Sequence, residues 1–305
     1  MVELPRLGVS AVVCAYNEER NLPQLLEALV GARGDSFDLT EVLVVASGCT
    51  DRTVELLTRA CHRDPRIRLI IQPKREGKAA ALAVGFARAR EDILLVENAD
   101  TTPSTGSLEH LLRPMHESDV TLVCSHPVAV NGFSTPAGRM GRVLWEIHDY
   151  LSRISPKVGE AFAIRRSHAF VPANVEDDDT FVGAYAASKG GVRRYVPEAV
   201  IWNRVPESLS ELFAQRLRIN RQVAHLARRE GILSEAWEPK PLARAVLGYL
   251  RIHPTRLPEC VALASLEATC RVLAALDSVL WPRRLTTWNP ASSTKGAIRA
   301  GGVDD

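Results

Sequence analysis

Three oxygen-bearing side chains, Glu97, Asn98 and Asp100, stand together directly after the apolar run Ile93–Val96. That run is short and rich in β-formers, so it reads as a strand buried on both faces and ending at Glu97. Pro103 is expected to forbid any further strand pairing. Ligands of open α/β sheets bind at the carboxyl ends of strands. Oxygen donors in a short turn suit a hard divalent cation, Mg2+ or Mn2+, and through it a diphosphate. The competing reading is an acidic turn in which Asp100 caps the next helix. A second acidic run, Glu176-Asp177-Asp178-Asp179, opens a predicted helix. Carboxylates favour a helix N-terminus, yet four in succession exceed what capping needs.

The elements that must position these residues alternate through the first hundred positions. Val9–Cys14 reads as a strand, and Asn17 as the N-cap of a helix that buries Leu22, Leu25, Leu26 and Leu29. Glu41–Ala46 is a second strand. It runs into the turn Ser47–Asp51 and a helix carrying Val54, Leu57 and Cys61 on one face. Ile67–Ile71 is a third strand, followed by a helix starting at Gly77-Lys78. Strands alternating with helices predict a parallel sheet covered on both faces, with the strand ends after Ala15, Ala46 and Val96 at one edge, where a nucleotide belongs. The second half offers strands at Val120–Cys124 and Gly159–Arg165 and a helix over Pro136–Tyr150. A capping box, Ser208-Leu-Ser-Glu211, opens a long helix bearing Gln215, Arg216, Arg218 and Arg221.

Composition narrows the class. The chain has 305 residues, 46% of them hydrophobic and 24% charged, the profile of an ordinary globular protein with a large core. A net charge of +2 gives no case for nucleic acid. The six cysteines lack metal-ligand spacing and read as reduced, mostly buried thiols. No signal-peptide pattern and no long uncharged apolar stretch is present, so the expectation is a cytoplasmic protein without a membrane span.

Taken together these landmarks resemble the family 2 glycosyltransferases, which have the GT-A fold. The resemblance rests on Cys14-Ala15-Tyr16-Asn17-Glu18 after the first strand, Gly48-Cys49-Thr50-Asp51 after the second, and Gly77–Leu82 at a helix start. It continues with Asn98-Ala99-Asp100 at the place of the family's Asp-x-Asp metal motif, then Glu176-Asp177, then Gln215-Arg216-Leu217-Arg218-Ile219. It covers roughly residues 8 to 222. Three departures stand out. Asn98 replaces the first Asp of the metal motif, keeping an acceptor oxygen but no charge. Ala46-Ser47 replaces an Asp pair, and Ile219 replaces a Trp that stacks on the acceptor in processive relatives.

The resemblance implies an inverting transferase that moves a sugar from a nucleoside-diphosphate sugar, UDP-linked by preference, to a hydroxyl acceptor (a small molecule, a natural product or a lipid-linked one). Asp100 would hold the divalent metal, Mn2+ or Mg2+. Ala15, Tyr16, Asn17, Glu18 and Ser47 would contact base and ribose, and Asn98 and Ala99 the metal's water shell or the ribose. Lys78 lies in a first helical turn, where the dipole disfavours a cation, which points to phosphate. Arg216 and Arg218 would screen the diphosphate with their planar forks. Asp177, beside Glu176, would be the general base, with Asp178 and Asp179 as alternatives. Trp145, His148 and Glu160 would fall on the acceptor side, where a structural role is the simpler expectation for each. Two rival readings are a sugar-phosphate nucleotidyltransferase and a non-catalytic nucleotide-sugar binder. The first would need a Gly-rich turn with Arg after strand one, which Ala15–Glu18 lacks.

The expected organisation is a GT-A domain over residues 1–235, a helical extension over 236–290 and a disordered Gly/Ser-rich tail over 291–305. Between Glu259 and Trp281, the charges Glu259, Glu267, Arg271 and Asp277 occupy an arc of about 120° on a helical wheel. The remaining apolar arc is expected to be covered, first by the catalytic domain, with a second subunit or a bilayer surface as the other candidates. A homo-oligomer through this helix and a peripheral membrane placement follow from those two.

Overall fold

The computed structural model describes residues 5–280 together with Thr286, Thr287, Thr294 and Ile298. Its strands are β1 (Leu7–Ala15), β2 (Phe37–Ser47), β3 (Ile67–Gln72), β4 (Ile93–Asn98), β5 (Thr102–Pro103), β6 (Val120–Ala129), β7 (Ala161–Arg165) and β8 (Val192–Asn203). They form one sheet in the order β3-β2-β1-β4-β7-β6-β8-β5. The first four are parallel, β7 runs antiparallel to β4 and β6, and β6 and β8 are parallel. This is the mostly parallel α/β sheet that the alternating pattern predicts.

Helices α1 (Leu22–Gly31), α2 (Thr53–Arg63) and α3 (Lys78–Arg88) are the crossovers of the parallel part. Successive strand residues point to opposite faces, and β1 shows it: Val13 joins Leu25, Leu29, Val44 and Leu95 in one core, while Val12 joins Leu82, Phe86, Leu94 and Phe162 in another. The sheet is therefore covered on both sides, which is why its strands read as continuous apolar runs. Helices α4 (Ser107–Leu112), α5 (Pro136–Ile154), α6 (Asp178–Ser188), α7 (Leu209–Glu230), α8 (Pro239–Ile252) and α9 (Leu257–Leu280) are the other α-helices among the described residues. A third core joins α5 to α8 and α9 through Val143, Ile147, Tyr249, Cys260 and Leu263.

Several expectations are corrected. β4 does not stop at Glu97: it continues through Asn98, because Glu97 pairs with Ala161 and is 1% exposed. Pro103 does not end pairing, since Thr102–Pro103 bridges Trp202–Ile201 at the sheet's edge, where the missing N–H costs nothing. β8, the longest strand among the described residues, has no counterpart in the sequence pattern. Its alternation is obscured by Arg193, Arg194 and Pro197. Asn17 does not cap α1, which begins five residues later; it takes a left-handed φ of +53° and ties two turns together. The six cysteines are free thiols, three buried and three half-buried.

The largest correction concerns α9, whose polar arc, not its apolar one, faces the catalytic domain. Glu267 pairs with Arg216 of α7 and accepts from Asn220, Asp277 lies 3.1 Å from Arg221, and Glu259 lies 3.4 Å from Arg139 of α5. Arg271 donates to the Ala236 carbonyl at 2.9 Å. Among the described residues no helix is long and apolar enough to cross a membrane. The expected tail, 291–305, lies outside the described residues apart from Thr294 and Ile298, which are both buried, and Trp281 lies outside them too.

Candidate active site

The parallel register sets the site. Ala15 is level with Ala46, and Cys14 with Asn98, so the turns after β1, β2 and β4 leave the sheet at one edge. They open on a cavity of about 660 Å³ whose far wall comes from α5, the start of α6 and the middle of α7. A cavity at this switch of strand direction has the size of a small-molecule or cofactor site.

On the β1–β2 side the backbone is held by side chains. Asn17 Oδ1 accepts from Thr50 N at 2.8 Å and its Nδ2 donates to Thr50 Oγ1 at 3.1 Å. That role locks the first turn to the second and keeps Asn17 off the cavity wall, contrary to its expected ligand contact. Gly48 has φ +63°, and a Cβ there would lie 2.3 Å from Arg75 N, so this tight turn admits only glycine. Ala15, Tyr16, Glu18 and Ser47 do line the cavity. The Arg75 guanidinium sits 3.7 Å over the Tyr16 ring. Together they make a flat cationic–aromatic platform. Glu18 is 7% exposed and accepts from Asn21 Nδ2 at 2.9 Å. Ser47 Oγ accepts from Glu76 N at 3.1 Å, so it also fixes the loop before α3.

At the end of β4, Asn98, Ala99 and Asp100 line the cavity centre. Asn98 Nδ2 donates to Glu160 Oε2 at 2.5 Å, and Asn203 Nδ2 donates to Glu160 Oε1 at 3.1 Å. Burial first, and the Asp100 charge second, push the Glu160 carboxyl up to about 7. Glu97 behind them is buried and accepts from Thr101 Oγ1 at 2.7 Å; burial raises its carboxyl well above its ordinary value.

The acidic run lines the same cavity. Asp177 is the N-cap of α6, accepting from Thr180 N at 3.2 Å, and it lines the cavity. Burial, then the charge of Asp179, raises its carboxyl above its ordinary value. Lys78 Nζ lies 3.0 Å from Asp178 Oδ2 and 3.0 Å from Asp179 Oδ1. Burial alone would depress Lys78, but these two carboxylates outweigh it and hold the ammonium charged. Its misfit with the α3 dipole is thus resolved by a protein partner; expected on phosphate, Lys78 is an anchor of the acidic turn. Glu176, expected beside the base, lines the cavity next to Asp177, with its carboxylate held by α7. Its carboxylate meets His225 Nδ1 at 3.1 Å and Arg229 at 3.3 Å, while Gln222 Nε2 holds its carbonyl at 2.7 Å. It positions the turn against α7.

The two arginines separate. Arg216 lines the cavity, is 9% exposed and is paired with Glu267, which joins α7 to α9. Arg218, two residues on, lies among the charges of Asp100, Asp177 and Asp178; burial and then Arg216 lower its guanidinium to about 10. The wall beyond is more apolar, with Leu144, Trp145, His148, Leu212 and Trp237. Burial drives His148 well below its usual range, so it is neutral. Arg75 and Trp237 carried no motif. Arg75 was discoverable as the cation in the turn after β3 at the same sheet edge; Trp237 was not, because only the packing of α8 and α9 brings it in.

A family model for glycosyl transferase family 2 matches residues 10–171. The chain is similar to a probable glycosyltransferase, YdaM, of Bacillus subtilis (strain 168), 28% identical over 234 residues that span 72% of this chain and 55% of that protein. It is also similar to a dolichyl-phosphate beta-glucosyltransferase of Trichomonas vaginalis, 33% identical over 105 residues, 33% of this chain and 31% of that one. It thus spans about half the length, or less, of the curated relatives it matches. Among solved structures, the mannosyltransferase PcManGT of Pyrobaculum calidifontis, in complex with GDP-Man and Mn2+, superposes with a TM-score of 0.61 at 21% identity over 92% of this chain and 89% of that chain. Glucosyl-3-phosphoglycerate synthase of Mycobacterium tuberculosis, with Mn2+, UDP and phosphoglyceric acid, gives 0.52 at 20% identity over 74% and 79%. The family model covers more than half of the sequence and contains the β1, β2 and β4 turns that line the cavity, so the chain belongs to glycosyl transferase family 2.

Proposed function

We propose that the protein transfers a sugar from a nucleoside-diphosphate sugar to a hydroxyl acceptor with inversion, using Asp177 as general base and Asp100 as the anchor of a divalent cation. The observation that carries this reading is that Asp100 and Asp177 line one cavity, with Arg218 close to the charges of both. The Tyr16–Arg75 platform would take the base. Inversion needs a single carboxylate to receive the acceptor's proton as its oxygen attacks the anomeric carbon, opposite the departing diphosphate. Neutral, apolar surroundings at Leu144, Trp145 and His148 would seat the acceptor without competing for that proton.

The donor set suits Mn2+ or Mg2+. Among the described residues no three His, Cys, Asp or Glu side chains form a closed cage. That fits a cation bound through one or two carboxylates, with phosphate and water completing the shell. Such an ion, when bound, neutralises the leaving diphosphate. Asn98 brings no charge, and Glu160 makes up for it: the carboxylate 2.5 Å from the Asn98 amide orients that side chain and supplies the second negative charge beside Asp100. Glu160→Gln is expected to weaken Mn2+ binding in the presence of UDP or GDP by about 10- to 100-fold, the usual effect of losing a supporting partner, read by electron paramagnetic resonance of free Mn2+. Adding Asn98→Asp to that variant should restore most of the affinity. Unchanged Mn2+ binding in Glu160→Gln would remove Glu160 from this role. In the wild type, Mn2+ binding should strengthen as pH rises through about 7, because Glu160 loses its proton there.

The reading as a whole is tested by thermal denaturation with UDP- and GDP-linked sugars, with and without Mn2+, followed by transfer or hydrolysis of a labelled donor. A donor that binds the native state raises apparent stability by mass action. Absence of any metal-dependent shift would reject the proposal. Binding without turnover of any donor would favour the non-catalytic binder.

A further inference from the structure

Three hydrogen-bonding groups on the cavity wall are left almost unused by the protein. Trp145 and His148 stand three residues apart on α5, hence on one face, with their rings edge to face at a centroid distance of 5.1 Å. Lys157 follows in the loop from α5 to β7, and all three side chains line the cavity. Among the described residues, the Trp145 indole and the His148 ring make no hydrogen bond, and Lys157 forms no ion pair. Its Nζ reaches only the carbonyl of its neighbour Val158, at 3.3 Å. The nearby cations are already matched: Lys78 lies between Asp178 and Asp179, and Arg216 is paired with Glu267. An ammonium donates and accepts nothing, and so does an indole N–H. A half-buried ammonium with one long bond to a carbonyl lacks the partner that would offset its desolvation.

Charge and donor count select what would fill this corner. Burial, and after it the charge of Lys157, keeps His148 neutral, so the ring offers one N–H and no competing charge. Lys157 also opposes the rise of Asp177 that burial and Asp179 cause, so the cation lies within electrostatic range of the proposed base. A neutral hydroxyl would bring a proton of its own and no charge for the ammonium. A carboxylate or a phosphate only accepts, from several donors at once, and its bond to an ammonium is charge-assisted. In the transferase reading, on which this inference rests, the donor's diphosphate belongs with Asp100 and its base with the Tyr16–Arg75 platform, which leaves this wall to the acceptor. We propose that Lys157, His148 and Trp145 form a subsite for a negatively charged group of the acceptor, so that the substrate is a hydroxyl compound bearing a carboxylate or phosphate, with its hydroxyl presented to Asp177.

The test is calorimetric titration of the full chain with glycerol phosphate, glycerate and uncharged glycerol, with UDP or GDP and Mg2+ present to fill the donor's phosphate positions. Both anions are expected to bind about tenfold or more tighter than glycerol, the span of one charge-assisted contact. Lys157→Gln should remove that advantage while the melting temperature and the nucleotide-induced thermal shift stay unchanged. Lys157→Arg, which keeps the charge, should keep most of the binding, and Trp145→Phe, which keeps a ring but loses the N–H, should cost a few-fold. The tighter of the two anions identifies the group as phosphate or carboxylate. Anions that bind no better than glycerol, or equally well to Lys157→Gln, would overturn the subsite. A loss of nucleotide affinity in Lys157→Gln would overturn it too, by assigning the cation to the diphosphate. The thermal shift separates the two readings: a wild type without a nucleotide-induced shift fails as a transferase, whereas one that shows the shift but no Lys157-dependent anion binding fails only here.

Discussion

Asp177→Asn is expected to lower turnover by roughly two to four orders of magnitude, the usual span for loss of a general base, with little change in donor affinity. The structure makes the substitution clean. Asp177 also caps α6 through the Thr180 N–H, and an Asn oxygen can accept the same bond, so the helix keeps its start. Asp178 and Asp179 share one lysine, so neutralising either leaves Lys78 a partner, and each should cost far less. A variant at 178 or 179 that silences transfer, with Asp177→Asn still active and donor bound, would move the base along the turn. The pH profile gives a second measurement. Burial and then Asp179 raise the folded pKa of Asp177, and the base works only when deprotonated. Activity should therefore fall as pH drops through a value higher than that of an ordinary aspartate. Asp179→Asn, which removes one of those causes, should shift the acidic limb downward.

Asp100→Ala should abolish Mn2+-dependent donor binding while leaving the fold intact. Asp100 follows β4 on the cavity wall and belongs to none of the apolar cores, so its loss opens no void there. In the wild type a donor at about a hundred times its Kd contributes about 2.7 kcal/mol of apparent stability. That increment should vanish in the variant at the same donor and Mn2+ concentrations, and the melting curve without ligand should match the wild type. Undiminished Mn2+-dependent transfer by Asp100→Ala would remove the metal reading altogether. Because Asp100 also raises Glu160, the variant should show Glu160 titrating lower, which distinguishes a lost carboxylate from a collapsed site.

Local chemistry carried much of this into the sequence. The apolar runs of β1 to β4 are buried on both faces, so strand identity, parallel order and the shared sheet edge could be read without coordinates. That Asp100 and Asp177 line the cavity could be anticipated for a related reason: one comes just after the end of β4 and the other caps the start of α6, boundaries that the sequence marks. What the sequence could not decide was which way a side chain turns once several partners compete for it. Lys78 and Arg216 look alike as free cations near a phosphate, yet Asp178 and Asp179 claim the first and Glu267, fifty-one residues away, claims the second. Glu160 acquires its meaning only beside Asn98, across sixty-two residues. The helical wheel separated the charged arc of α9 from its apolar arc but gave no sign of direction. Burial of apolar area would have turned it one way; arginines on α5 and α7, with the Ala236 carbonyl, turned it the other. Periodicity reports that a helix has two faces, and only the partners that tertiary structure brings up to it determine which one meets the protein.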